Sequence, residues 1–292
     1  MENKENIKKM VKEKYADIAI QSKTVNEASC CGVGSCTGVD YTVFSEDYSK
    51  LKGYNPDADL GLGCGLPTEF ALIKEGDTVI DLGSGAGNDA FVARAIAGEK
   101  GKVIGVDFTS EMIDKARANN DKLGFNNVEF RFGDIEKMPI TANKADVIIS
   151  NCVLNLVPDK IKAFKEIYRV LKPGGHFSVS DIVTTGELPD VVKSVAELYA
   201  GCVAGAIKKE DYIKIIEDTG FINLRIQKER VITIPDEIML KFISQKDLDL
   251  LKSEGINLVS INVYADKPGK ADLPVIENKS EKTCGCSDDC CN

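Results

Sequence analysis

Val79-Ile80-Asp81-Leu82-Gly83-Ser84-Gly85-Ala86-Gly87-Asn88-Asp89 is the stretch that decides the fold. A short β-rich run leads into three glycines at alternate positions, and a helical pattern follows. That is a strand entering a tight turn that opens a helix. The glycines let the chain turn sharply and let a ligand come close to the backbone. Outward from it, β-rich runs at 78–83, 102–108, 128–134, 145–151 and 176–183 alternate with helical patterns at 88–98, 110–124 and 159–171. Such alternation builds right-handed βαβ units. The expected fold is therefore α/β: a doubly wound, mostly parallel, Rossmann-like sheet with helices on both faces.

The flanks divide the chain further. Ile7, Met10, Val11, Tyr15, Ile18 and Ala19 recur at helical spacing, so an amphipathic helix is predicted at 5–20, before a breaker-rich stretch at 22–67. After the core come helical patterns at 189–202 and 209–219, strands at 222–234 and 258–265, and a mostly helical insertion at 236–255. The predicted divisions are 1–67 (helix and Cys-containing loops), 68–186 (nucleotide-binding core), 187–267 (substrate-side helices and last strands, a C-terminal α+β extension) and 268–292, a flexible Cys-rich tail.

The glycine turn also limits the ligand. Asp107 ends the second predicted strand, where a carboxylate can accept both ribose hydroxyls, so the ligand contains adenosine. A dinucleotide fingerprint needs a glycine where Asn88 stands. The acid two places before the first glycine, D-x-G-x-G-x-G, instead resembles motif I of class I methyltransferases. That resemblance implies S-adenosylmethionine bound by Asp81, Gly83, Ser84, Gly85, Gly87, Asp107, Phe108 and Met112. It also implies Gly133-Asp134-Ile135 beside the adenine and Asn151 at the methyl-transfer edge.

Composition excludes several classes. A net charge of −9 over 292 residues argues against nucleic acid, which is bound largely through Lys and Arg. No run of about 18 apolar residues appears, which argues against a membrane span, and the start lacks an apolar secretory segment. A cytoplasmic, monomeric protein is expected. Ten cysteines then read as reduced thiols or soft-metal ligands. The single histidine, His176, opens a predicted strand and is expected to be structural, so a His-based nucleophile system has nothing to be built from.

Cys64, Cys152 and Cys202 lie near predicted turns at the sheet's carboxyl edge, although a lone Cys in an apolar segment is usually a small core residue. The segments G-C-G-L-P, D-L-G-S-G-A-G-N-D, S-N-C-V-L-N-L-V-P-D-K, R-V-L-K-P-G-G, S-D-I-V and G-C-V-A-G-A closely resemble the arsenite methyltransferase family, from about Cys30 to Ile234. The resemblance implies that Cys64, Cys152 and Cys202 bind trivalent arsenic, as arsenite or methylarsenite. It further implies that a fourth cysteine, Cys30 or Cys31, exchanges thiols or forms a transient disulfide, with glutathione or thioredoxin as thiol co-substrate. Soft arsenic suits thiolates, and its lone pair can attack a sulfonium methyl without a base. Cys64, in a glycine-rich loop that could swing away, is expected to be the thiolate spared in a second methylation. Two other functions fit parts of the sequence: a methyltransferase for a small organic substrate such as a quinone or sterol precursor, and a soft-metal buffer built on Cys30, Cys31, Cys36 and the tail. The tail is expected to be dispensable for methyl transfer.

Overall fold

The structure is a computed structural model and describes residues 2–20, 46–193, 205–241 and 243–269. Its elements follow the alternation of the sequence: α1 (Glu2–Ile20), α2 (Pro67–Phe70), β1 (Thr78–Leu82), α3 (Asn88–Ala97), β2 (Lys102–Asp107), α4 (Ser110–Leu123), β3 (Val128–Phe132), β4 (Ala145–Asn151), α5 (Lys160–Val170) and β5 (Leu171–Thr184). Then come α6 (Asp190–Lys193), α7 (Lys209–Asp218), β6 (Ile222–Ile232), α8 (Asp236–Met239), α9 (Gln245–Ser253) and β7 (Leu258–Asp266).

The strands form one sheet in the order β3-β2-β1-β4-β5-β7-β6. Pairs among β1 to β5 are parallel, and β7 runs antiparallel to both β5 and β6. From β1 the chain winds outward to β3 and then returns to β4 on the other side. That reversal opens a crevice at the carboxyl ends of β1 and β4, where ligands bind in such sheets. Apolar residues of β1 and β2 alternate between two cores, Ile80, Leu82, Ile104 and Val106 on one face and Val79 and Val103 on the other, so helices must cover both faces.

Local sequence explains the helix ends. Asp159 caps α5 by accepting the Lys162 N–H at 3.1 Å, and the helix buries Ala163, Phe164, Ile167 and Val170. Lys172-Pro173-Gly174-Gly175, which falls between the helical pattern at 159–171 and the β-rich run at 176–183, lies inside the long β5, with Gly174 at φ +80°. His176 is structural: its Nε2 lies 2.6 Å from the Ala71 carbonyl, and its ring stacks on Tyr264 at 5.0 Å. Among the described residues no helix is long and apolar enough to cross a membrane.

Candidate active site

The glycine turn is held from behind by β2. The Gly83 and Ser84 amides donate to the Val106 carbonyl at 2.7 and 3.1 Å, and the Gly85 amide donates to Asp107 Oδ2 at 3.0 Å. Gly83, Gly85 and Gly87 have φ of +64°, +49° and +101°, a region other residues rarely adopt. Their surroundings differ. A Cβ on Gly83 would sit 2.3 Å from Val153 Cγ2 and one on Gly87 2.9 Å from Phe130, whereas one on Gly85 would meet only Met112 Sδ at 3.9 Å. Gly85 is thus the glycine that faces open space.

That space is a cleft bounded by Gly83, Ser84, Gly85, Asp107, Phe108, Met112, Asp134, Ile135, Asn151 and Cys152 among the residues expected from sequence. Three further expected residues are placed differently. Asp81, Gly87 and Gly133 do not line the cleft: Gly87 is packed on Phe91 and Phe130, Gly133 lies against Pro139, and Asp81 is buried behind the turn.

The wall is acidic and incompletely satisfied. Ser84 Oγ, Asn88 Oδ1 and Asp81 Oδ2 are buried without a hydrogen-bond partner among the described residues. Burial, and then the charges of Asp89 and Asp107, push Asp81 well above the usual carboxylate range; burial pushes Asp89 up to about 6 against the hydrogen bonds of Asn151 and Tyr48. Asp107 is also raised by burial, opposed by hydrogen bonds from Thr109 and Gly85. Such a wall fits a ligand that brings hydroxyls and positive charge, and S-adenosylmethionine carries both.

The thiol side lies next to it. Cys152 follows the end of β4 at φ +60°, a strained conformation for a non-glycine residue, and its amide donates to the Ser180 carbonyl at 2.8 Å. Cys64 is fully buried. Its amide donates to Asn151 Oδ1 at 2.9 Å, and its carbonyl accepts from Ser260 Oγ at 2.8 Å. The flanking glycines make this approach possible, since a Cβ on Gly63 would sit 2.6 Å from Asn151 Nδ2 and one on Gly65 2.6 Å from Ser180 Oγ. The loop is therefore pinned, which removes the reason for expecting Cys64 to swing away.

The two sulfurs converge with a carboxylate. The ligand atoms of Cys64, Cys152 and Asp181 all lie within 4.8 Å of one another, and all three residues are buried. Both cysteines belong to an apolar cluster with Val11 of α1, Ile182 of β5 and Leu248 and Leu251 of α9. Cys30, Cys31, Cys202 and the tail after residue 269 lie outside the described residues.

Four of the cleft and thiol-site residues that sequence reasoning missed are polar and form a connected or converging group with expected ones. Tyr48 and Asp89 form a hydrogen-bonded group with Asn151, and Lys8 of α1 reaches Asp134 and Glu136 at 2.5 and 2.6 Å across the cleft. Asp181 is the fourth. Asp89 stood in the opening motif and Asp181 in S-D-I-V, an acid in an apolar run at the carboxyl end of a strand, which was the available signal.

Comparison with known proteins agrees with this geometry. A methyltransferase-domain family model matches residues 73–220. The arsenite methyltransferase of Halobacterium salinarum is 42% identical over 281 residues, covering 92% of this chain and 68% of that protein. The human arsenite methyltransferase is 38% identical over 184 residues, 60% of this chain and 48% of the human protein, so the chain matches about half of its length. The crystal structure of an arsenic(III) S-adenosylmethionine methyltransferase from Chlamydomonas reinhardtii superimposes with a TM-score of 0.58 at 35% identity, covering 70% of this chain and 68% of that one. With its class I sheet, glycine turn and paired thiols, the chain belongs to the arsenite methyltransferase family of S-adenosylmethionine-dependent methyltransferases.

Proposed function

We propose that the chain methylates trivalent arsenic, arsenite first and then methylarsenite, while the metalloid is held by the thiolates of Cys64, Cys152 and Cys202. The observation that carries this reading is the approach of the Cys64 and Cys152 sulfurs, within 4.8 Å of each other beside the cleft that Asn151 and Cys152 line. Bound in that cleft, S-adenosylmethionine supplies an electrophilic methyl carbon that an arsenic lone pair can take without loss of a proton. The residues orient and desolvate. Asn151 and Ser260 fix the Cys64 backbone, the strained turn at Cys152 aims the second sulfur, and the apolar cluster around both keeps water out.

A thiol co-substrate, glutathione or thioredoxin, exchanging through Cys30 or Cys31, completes the reading in a reducing cytoplasm. The tail from Thr283 to Asn292 is not needed for transfer. The test is incubation of pure protein with labelled S-adenosylmethionine, thiol and arsenite. Labelled methylarsenicals are expected. Binding of the cofactor without arsenic methylation would instead favour a small organic acceptor.

A further inference from the structure

Asp181 has no part in the chemistry above, yet it closes the group formed by Cys64 and Cys152 and is fully buried. Its position is fixed. The Tyr212 hydroxyl donates to Oδ2 at 3.1 Å and the Ile182 amide to Oδ1 at 3.1 Å, with a further backbone bond at Asn155. Tyr212 is itself buried against Phe164. A carboxyl in an apolar surround costs stability unless its oxygens are satisfied, and a carboxylate accepts about four hydrogen bonds. Three are accounted for by the fold.

Trivalent arsenic prefers sulfur to a hard carboxylate oxygen, so Asp181 is a poor ligand beside two thiols. What two thiols leave on arsenite is a hydroxyl. Two Cys thiols and As(OH)3 give a dithiolate As–OH and two waters: two As–S bonds form, two As–O bonds break, and each thiol proton leaves with a hydroxide. No electron is transferred. We propose that Asp181 is the positioning residue for this remaining hydroxyl, hydrogen-bonding it so that arsenite bound by Cys64 and Cys152 is held in place until a third thiol displaces it as water. The inference rests on the arsenic reading above.

It separates two substrates. Methylarsenite has only two hydroxyls, and both leave when Cys64 and Cys152 bind, so nothing remains for Asp181 to hold. The experiment is single-turnover methyl transfer from labelled S-adenosylmethionine by the full chain, with a phosphine as reductant so that no small thiol competes. Half-saturating arsenite and methylarsenite concentrations are compared for the wild type, Asp181→Asn and Tyr212→Phe. Asp181→Asn is expected to raise the arsenite value about tenfold, the loss of about one buried hydrogen bond to the bound hydroxyl, and to leave the methylarsenite value within about twofold. Tyr212→Phe, which only loosens Asp181, should shift the same ratio less, and it carries the test if Asp181→Asn does not fold. Equal shifts for both substrates, or none, would overturn the role of Asp181. Absence of transfer by the wild type to either arsenical would instead overturn the arsenic reading itself.

Discussion

Asn151 and Cys64, 87 residues apart, are joined by a hydrogen bond of 2.9 Å from the Cys64 amide to the Asn151 side-chain oxygen. The same carboxamide donates through its nitrogen to Tyr48 Oη at 2.6 Å and to Asp89 Oδ2 at 3.1 Å. One side chain thus fastens the thiol loop to the helix that opens after the glycine turn.

Replacing Asn151 by Ala removes these bonds together and leaves the buried Asp89 with only Tyr48 of its two side-chain donors. At about 1 kcal/mol for each bond, kcat/KM for arsenite should fall by about tenfold to a hundredfold. Steady-state kinetics measures this, and calorimetry should find a smaller loss in S-adenosylmethionine affinity. An equal loss in both would mean that Asn151 serves the cofactor alone.

Gly83 and Gly85 should respond differently to the same substitution. Gly83→Ala forces a methyl group to 2.3 Å from Val153 and should destabilise the fold by several kcal/mol. Gly85→Ala meets no atom nearer than 3.9 Å, so its cost is the backbone strain of φ +49°. Thermal melts should show Gly83→Ala much less stable than Gly85→Ala, while calorimetry shows Gly85→Ala folded but deficient in cofactor binding.

Cys64→Ser and Cys152→Ser should each lose methylation of arsenite and of methylarsenite while still binding S-adenosylmethionine. Methylarsenite can take two sulfurs, and these two converge in the structure. Chromatography of labelled products checks it. Dimethylated product formed from methylarsenite by Cys64→Ser at the wild-type rate would count against this pairing.

Acidification should stabilise the cofactor-free protein. Burial raises Asp89 to about 6 and Asp181 to about 7, so both favour the fold while protonated. That contribution is full below about pH 4, the ordinary range of an unfolded aspartate, and is lost as pH rises through 6 and 7. The melting temperature should therefore fall by several degrees between pH 5 and pH 8, reflecting a few kcal/mol. Asp181→Asn should flatten the upper part of the curve. Glu166, held low by Arg169, acts in the opposite sense and only below its ordinary value of 4.5.

The sequence made the strand ends legible because glycines and acids punctuate them: Gly83 to Gly87, Asp107 and Asn151 all lie where the alternation puts them. Cys64 and Cys152 could be named from a motif, but their meeting depends on Ser260 and Asn151, side-chain contacts that no local pattern encodes. At Asp81, Gly87 and Gly133 a motif alone does not separate two roles, because packing and binding select the same residue types at a turn. Lys8 was illegible for another reason. On an exposed-looking helix a lysine is ordinarily solvated, and only the fold brings it to Asp134 and Glu136, more than 120 residues away.

Among the described residues β7 is the last strand in sequence but not at the sheet's edge: it lies between β5 and β6. A growing chain therefore completes the nucleotide half, β1 to β5, while the place beside β5 is still empty. Ser260 sits on β7, so the anchor of the Cys64 carbonyl arrives with that final insertion. The order of synthesis thus makes the pinned thiol pair one of the last features to mature. A nascent chain presents loose thiols before Ser260 can fasten the Cys64 loop.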